Sequence, residues 1–112
     1  MAYDEGLAER LREVFADIPF VHEKKMFGGL AFMVDGHMSC GVMDDGRLML
    51  RVGPAQHDEA LRQPHVLPMD FTGRPMKGLV FLQAEAIVED ADLERWIQCS
   101  LRFVQSLPPK AS

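Results

Sequence analysis

Two Asp-Gly dipeptides, Asp35-Gly36 and Asp45-Gly46, restrict what this chain can fold into more than any other feature of its sequence. Asp-Gly supplies the positive backbone φ that tight hairpin turns require, and each pair here lies between apolar segments. The spacing predicts a three-stranded antiparallel meander over 25–34, 37–43 and 47–52. In the third segment Leu48, Leu50 and Val52 alternate with Arg47, Met49 and Arg51, which predicts one core face and one wetter face. Met49 then lies on the outer face and is the first candidate for an interface.

Helical spacing takes over on either side of the meander. Leu7, Leu11, Val14, Phe15 and Ile18 form an apolar stripe, with Asp4 placed to cap the helix and Pro19 to stop it. Pro54 suits the first turn of a short helix that runs to about residue 62. The segment PHVLPMDFTGRPMKG, 64–78, holds three prolines and two glycines, too many for regular structure through most of it. Its Val66, Leu67, Met69, Phe71 and Met76 are too apolar for a solvated linker, so it is expected to be an ordered loop packed on the core. A further strand is expected over 78–88, with a break near Gln83. The last helix presents Leu93, Trp96, Ile97, Ser100, Leu101 and Val104 on one face and ends at Pro108-Pro109.

A chain of 112 residues is expected to form one domain over 1–112, burying roughly 65% of its unfolded surface without metal or disulfide staples. No apolar run approaches the roughly 20 residues of a membrane-spanning helix, and the N-terminus lacks a basic-then-apolar leader, so the expected location is the cytosol. Twelve basic against seventeen acidic residues leave a formal charge of −5, which opposes non-specific attraction to nucleic acid and to anionic membrane. Cys40 and Cys99 lie outside any CxxC and are expected to be free, buried thiols.

Motifs for chemistry are sparse. Gly28-Gly29 precedes a strand and not a helix, and no GxxxxGK[ST] or GxGxxG follows, so a bulge or a close backbone approach explains the pair better than a phosphate loop does. His37 and Cys40, three apart in a strand, should face opposite ways and fail to chelate one ion, while His22, His57 and His65 match no metal pattern. Ser39 stands in no GxSxG, and Cys40 at mid-strand reads as a small core residue. Spacing therefore nominates no catalytic set, and no cofactor or metal is expected. DFTGRPMKG, 70–78, is the most suggestive grouping: Thr72, Arg74 and Lys77 would concentrate donors suited to a carboxylate, a phosphate or an acidic partner. The competing account is a crossover loop held by Phe71 and Met76, with Asp70 capping its own turn. Eight methionines, many for this length, suit gap filling in a mixed core or an adaptable partner surface.

Taken in order, KKMFGGLAFMVDGHMSCGV, RLMLRVGP, PMDFTGRPMKGLVF and the Trp96 helix running into SLPP resemble the N-terminal domain of the TfoX/Sxy family, bacterial regulators of natural competence. The resemblance implies an α+β domain with a curved antiparallel sheet, helices packed on it, and the order α, three strands, α, two strands, α. It implies no catalytic residues; MFGG and DFTGRPMKG look like fold signatures. Members that act in competence carry a second, C-terminal helical domain, and this chain is expected to be the first domain standing alone. The function expected is non-enzymatic regulation through protein contacts, with self-association through a sheet face or edge as one such contact. Binding of an anionic ligand or nucleic-acid phosphate by the 70–78 loop is the alternative.

Overall fold

The computed structural model describes residues 3–26, 28–69 and 76–109. Helix α1 spans Glu5–Val14, and the carboxylate of Asp4 caps it by accepting the Leu7 N–H at 3.0 Å. Four strands follow, β1 Val21–Met26, β2 Gly29–Val34, β3 His37–Val42 and β4 Leu48–Arg51, then the short helix α2, His57–Leu61. Strands β5, Val66–Pro68, and β6, Leu79–Leu82, precede the long helix α3, Asp90–Val104. The strands form a six-stranded antiparallel sheet in the order β1-β2-β3-β4-β6-β5, giving the α+β architecture expected from the sequence.

The sheet has one strand more than expected at its start. Where the sequence suggested a single strand over 25–34, Met26 pairs with Gly29, so the chain reverses there between two strands of a hairpin. Gly28 takes φ 70° there. Gly29 meets a different demand: a Cβ at its position would lie 2.2 Å from the carbonyl oxygen of Val42, so β2 and β3 approach too closely for any side chain. Close backbone approach, one of the two readings offered for this pair, holds at Gly29, and Gly28 serves a turn and not a bulge. Strand β1 escaped notice because VHEKKM is mostly exposed and lacks an apolar alternation. It is tied to α1 by Arg12, which donates to both carboxylate oxygens of Glu23 at 2.8 and 2.9 Å and holds that carboxyl below its ordinary pKa.

Two further boundaries move. Strand β5 lies within the 64–78 stretch that was expected to be irregular, and the strand expected over 78–88 stops at Leu82. After Gln83 the chain turns through the 3₁₀ segment Ala84–Ile87 and delivers Ile87 to the core. The break near Gln83 is therefore real, and its N–H bonds His65 O at 2.9 Å.

The three helices among the described residues cover one face of the sheet. Leu7 and Leu11 of α1, Ala60 of α2, and Leu93, Trp96, Ile97, Leu101 and Val104 of α3 bury against Phe32, Leu48, Leu50, Val80 and Leu82. The α3 face is the one its periodicity predicted. Phe15 stacks on Phe32 with ring centroids 5.2 Å apart. On the opposite face Met49, Met69 and Phe81 form a second, smaller core, flanked by half-buried Met38, Met43 and Leu79. Met49 thus points away from the helices as expected but is only 1% exposed, which removes it as an interface residue. Its neighbours across the sheet, Gly41 and Phe81, are also buried.

A bulge at Ser39 interrupts the β2–β3 ladder, since Phe32 pairs with Cys40 but Met33 pairs with Met38. The extra residue places Ser39 beneath α3, where its Oγ meets Ser100 Oγ at 2.8 Å while Ser100 Oγ donates to Ser39 O at 3.1 Å. Both serines are fully buried, so the single Ser100 proton goes to the carbonyl and Ser39 donates to Ser100.

In urea denaturation, Gly29→Ala should cost about 2–3 kcal/mol because it forces a Cβ against backbone, and Gly28→Ala about 1 kcal/mol for its φ alone. Equal losses at the two sites would contradict these separate roles. Ser100→Ala should cost about 1–3 kcal/mol by orphaning two buried polar groups of Ser39, and adding Ser39→Ala should recover part of it. Strict additivity in that cycle would show that the pair is not coupled.

Candidate functional site

Where β4 ends and β6 begins, two glycines bring the backbones together. Val52 N–H and Gly53 N–H both donate to Gly78 O, at 2.8 and 3.2 Å, and Gly53 and Gly78 have φ 87° and 93°. A Cβ on Gly53 would sit 2.4 Å from the Phe103 ring, and one on Gly78 3.2 Å from the Gly53 carbonyl carbon. Gly78 N–H in turn donates to Nδ1 of buried His57 at 2.9 Å, which leaves the ring proton on Nε2. His57 is therefore a fastening for the crossing, supplied by α2.

Beside this crossing opens a groove of about 240 Å³, walled by Met38, Leu79 and Phe103 and flanked by Arg51 and Lys77. The Arg51 guanidinium lies over the Phe103 ring, 5.3 Å from its centroid. Most of the arginines have carboxylate partners: Arg10 with Asp90, Arg12 with Glu23, Arg47 with Asp45, Arg62 with Glu59, Arg95 with Asp92. Among the described residues neither Arg51 nor Lys77 has an ion pair. The groove joins the second core, because Met38 and Leu79 belong to both.

Among the strand residues, negative charge is confined to the helix side of the sheet. Glu23 is the one acidic residue in the six strands, and it faces α1. On the helix-free side the register places His22 and Lys24 opposite Met33 and Ala31, and Arg51 opposite Leu79. In a protein of formal charge −5, that side is apolar with a cationic rim.

Of the three candidate donors read from the sequence, Lys77 lines this groove, while Thr72 and Arg74 lie outside the described residues. Arg51 was missed as a site residue. Its place on the outer face of its strand was legible from the alternation, but its proximity to Lys77 follows from the pairing of β4 with β6, which no local pattern announces.

Residues weighed for catalysis have structural places. Cys40 is buried in the main core, and burial pushes its thiol pKa up, away from reactivity. Ser39 is spent on Ser100. The bulge overturns one expectation: His37 pairs with Val34 and Cys40 with Phe32, both core-facing, so the two share a side of the sheet and do not face opposite ways. His37 Nε2 nevertheless meets Pro108 O at 2.7 Å, and Cys40 is sealed from it in the core. Among the described residues no three His, Cys, Asp or Glu side chains gather to hold a metal ion. Cys99 is half-buried, not buried, at a cleft of about 200 Å³ between α2 and α3 that also presents Arg95, Trp96 and Arg102.

Three helices on one face of a six-stranded antiparallel sheet, with a cationic groove at the end of the strands, define a small open-sheet α+β domain. The family described as the TfoX N-terminal domain matches residues 13–104, and the chain belongs to that family. The crystal structure of Deinococcus radiodurans protein DR2400, with a DUF419 family domain, is similar in fold: TM-score 0.66 over 94% of this chain and 91% of that one, at 23% identity. A comparison with curated proteins returned no match. Among the described residues no helix is long and apolar enough to cross a membrane.

A thiol reagent should label Cys99 in the folded protein and reach Cys40 only on unfolding, so titration should show one fast thiol and one that appears with denaturant. Rapid labelling of both would place Cys40 in an accessible state and reopen a chemical role for it.

Proposed function

We propose that this chain is a non-enzymatic cytosolic module that acts by contacting another protein, within the competence-type regulation that its family resemblance implies. The observation that supports this is the helix-free side of the sheet. There Leu67 and Met76, 39% and 41% exposed, adjoin the Met49, Met69 and Phe81 cluster, with Met76 N–H bonded to Met69 O at 3.0 Å. Half-buried Met38 and Met43 extend the surface, and methionine suits a contact that must adapt to its partner. Apolar area edged by cations, with Glu23 on the other side of the sheet and Asp45 paired to Arg47, is the composition of a recognition surface.

Contact through this face is favoured over strand addition at an edge. The outer strand β1 carries Lys24 and Lys25, and the outer strand β5 is three residues long and ends in Pro68, both of which resist pairing with another chain. Two copies meeting face to face would set Lys24 and Arg51 against like charges, which disfavours a homodimer through this surface.

A photo-crosslinker at position 67 or 76 should capture a defined protein in cells, whereas one at exposed Phe20 or Val88 should not. Leu67→Glu with Met76→Glu should abolish both capture and regulatory effect while leaving the thermal unfolding within a few degrees of wild type. Sustained turnover of a small substrate that persists in the double variant would falsify the reading.

A further inference from the structure

Three observations on the Arg51 and Lys77 groove carry the contact reading a step further. Its two cations have no carboxylate partner among the described residues, and Arg51 is pre-oriented over Phe103. Four backbone donors at the crossing are consumed: Val52 and Gly53 N–H by Gly78 O, Gly78 N–H by His57, and Leu79 N–H by Met76 O. An amide cradle of the kind that wraps a phosphate therefore does not exist at these residues, and recognition falls to the side-chain fork and ammonium. A guanidinium fork matches a carboxylate in two parallel hydrogen bonds, and a neighbouring ammonium adds a third donor. Finally, about 240 Å³ is below the roughly 300–1,000 Å³ typical of sites that engulf a whole small molecule. It is the scale of a side chain or two.

We infer that this groove seats an acidic side chain of a partner polypeptide, with an apolar residue beside it packing on Met38, Leu79 and Phe103. The inference rests on the protein-contact reading above and specifies its partner: an acidic segment with apolar anchors, lying from the groove onto the methionine cluster. Charge complementarity selects that occupant over a second copy of this chain, whose matching surface is cationic. It also selects it over nucleic acid, which would offer phosphates to a crossing whose four amides are already bonded and meet a chain of net charge −5.

The test uses the full chain and a labelled short peptide of alternating Glu and Leu, its Gln-for-Glu counterpart, and inorganic phosphate as competitor. Binding is followed by anisotropy, and the site by the methyl resonance of Met38. The Glu peptide should bind, move the Met38 methyl and weaken as salt rises, while the Gln peptide should bind roughly tenfold more weakly. Arg51→Ala and Lys77→Ala should each cost a similar factor. Arg51→Met, which keeps an apolar stem on Phe103, should lose binding without loss of fold, separating charge from packing. Undiminished binding in the Arg51→Met/Lys77→Ala chain, phosphate competing as well as the unlabelled Glu peptide, or no binding by either peptide would each overturn the inference. If crosslinked capture at positions 67 and 76 persists in the Arg51→Met/Lys77→Ala chain, the groove assignment falls and the contact reading stands. Both fall only if wild type also captures nothing.

Discussion

The crossing of Gly53 over Gly78 is the constraint from which the second half of the molecule takes its shape. Three hydrogen bonds converge there, two onto Gly78 O and one from Gly78 N–H to His57. They join the end of β4, the start of β6 and helix α2 at one point, where a Cβ on Gly78 would press on the Gly53 backbone and one on Gly53 would run into the Phe103 ring. Once joined, β6 enters beside β4 in register, β5 is added outside it, and the sheet passes from a four-stranded meander to six strands. The same crossing sets Lys77 beside Arg51 and leaves Phe103 as the floor of the groove. Fold and candidate site thus share one set of contacts.

A sheet wrapped on one face by helices usually leaves its other face to water, and such faces alternate cleanly between apolar and polar positions. Here the second face is only partly polar. Ala31, Met49, Met69 and Phe81 bury themselves, and charge is confined to the rim. Arg47 belongs to that arrangement: its guanidinium lies 4.4 Å from the Phe81 ring centroid and is anchored by Asp45. Long cationic side chains can cover apolar surface with their stems while keeping their heads in solvent, which reconciles a methionine-rich face with an acidic chain.

Much of the fold was legible because it is local. Asp35-Gly36 and Asp45-Gly46 marked two real hairpin turns, Asp4 caps α1, and the six residues assigned to the buried face of α3 are the six that are buried. Strand β1 was not legible, because VHEKKM is an edge strand whose pairing depends on the turn at Gly28 and on the Arg12 to Glu23 contact, and not on a buried alternation of its own. Strand β5 was hidden for a related reason: three residues ending in a proline carry too little pattern, and only β6 makes them a strand. The lateral relation of His37 to Cys40 was misjudged because one extra residue at Ser39 resets the alternation, and a bulge has no fixed sequence mark.

The sequence by itself determined the elements that need only their own residues: turns that require positive φ, a cap that requires a side-chain acceptor, and helix faces that require a period. It also determined the charge of the whole and the absence of a recognisable catalytic motif. Tertiary structure alone decided that Met49 is covered, that Gly29 must be glycine because Val42 O stands 2.2 Å from the place its Cβ would take, and that Arg51 and Lys77 share a groove. The division follows from the range of the forces involved. Backbone preference and amphipathic period act within a few residues, whereas burial and charge proximity depend on which strands become neighbours. That choice is made where β4 meets β6, between segments that their own local patterns do not connect.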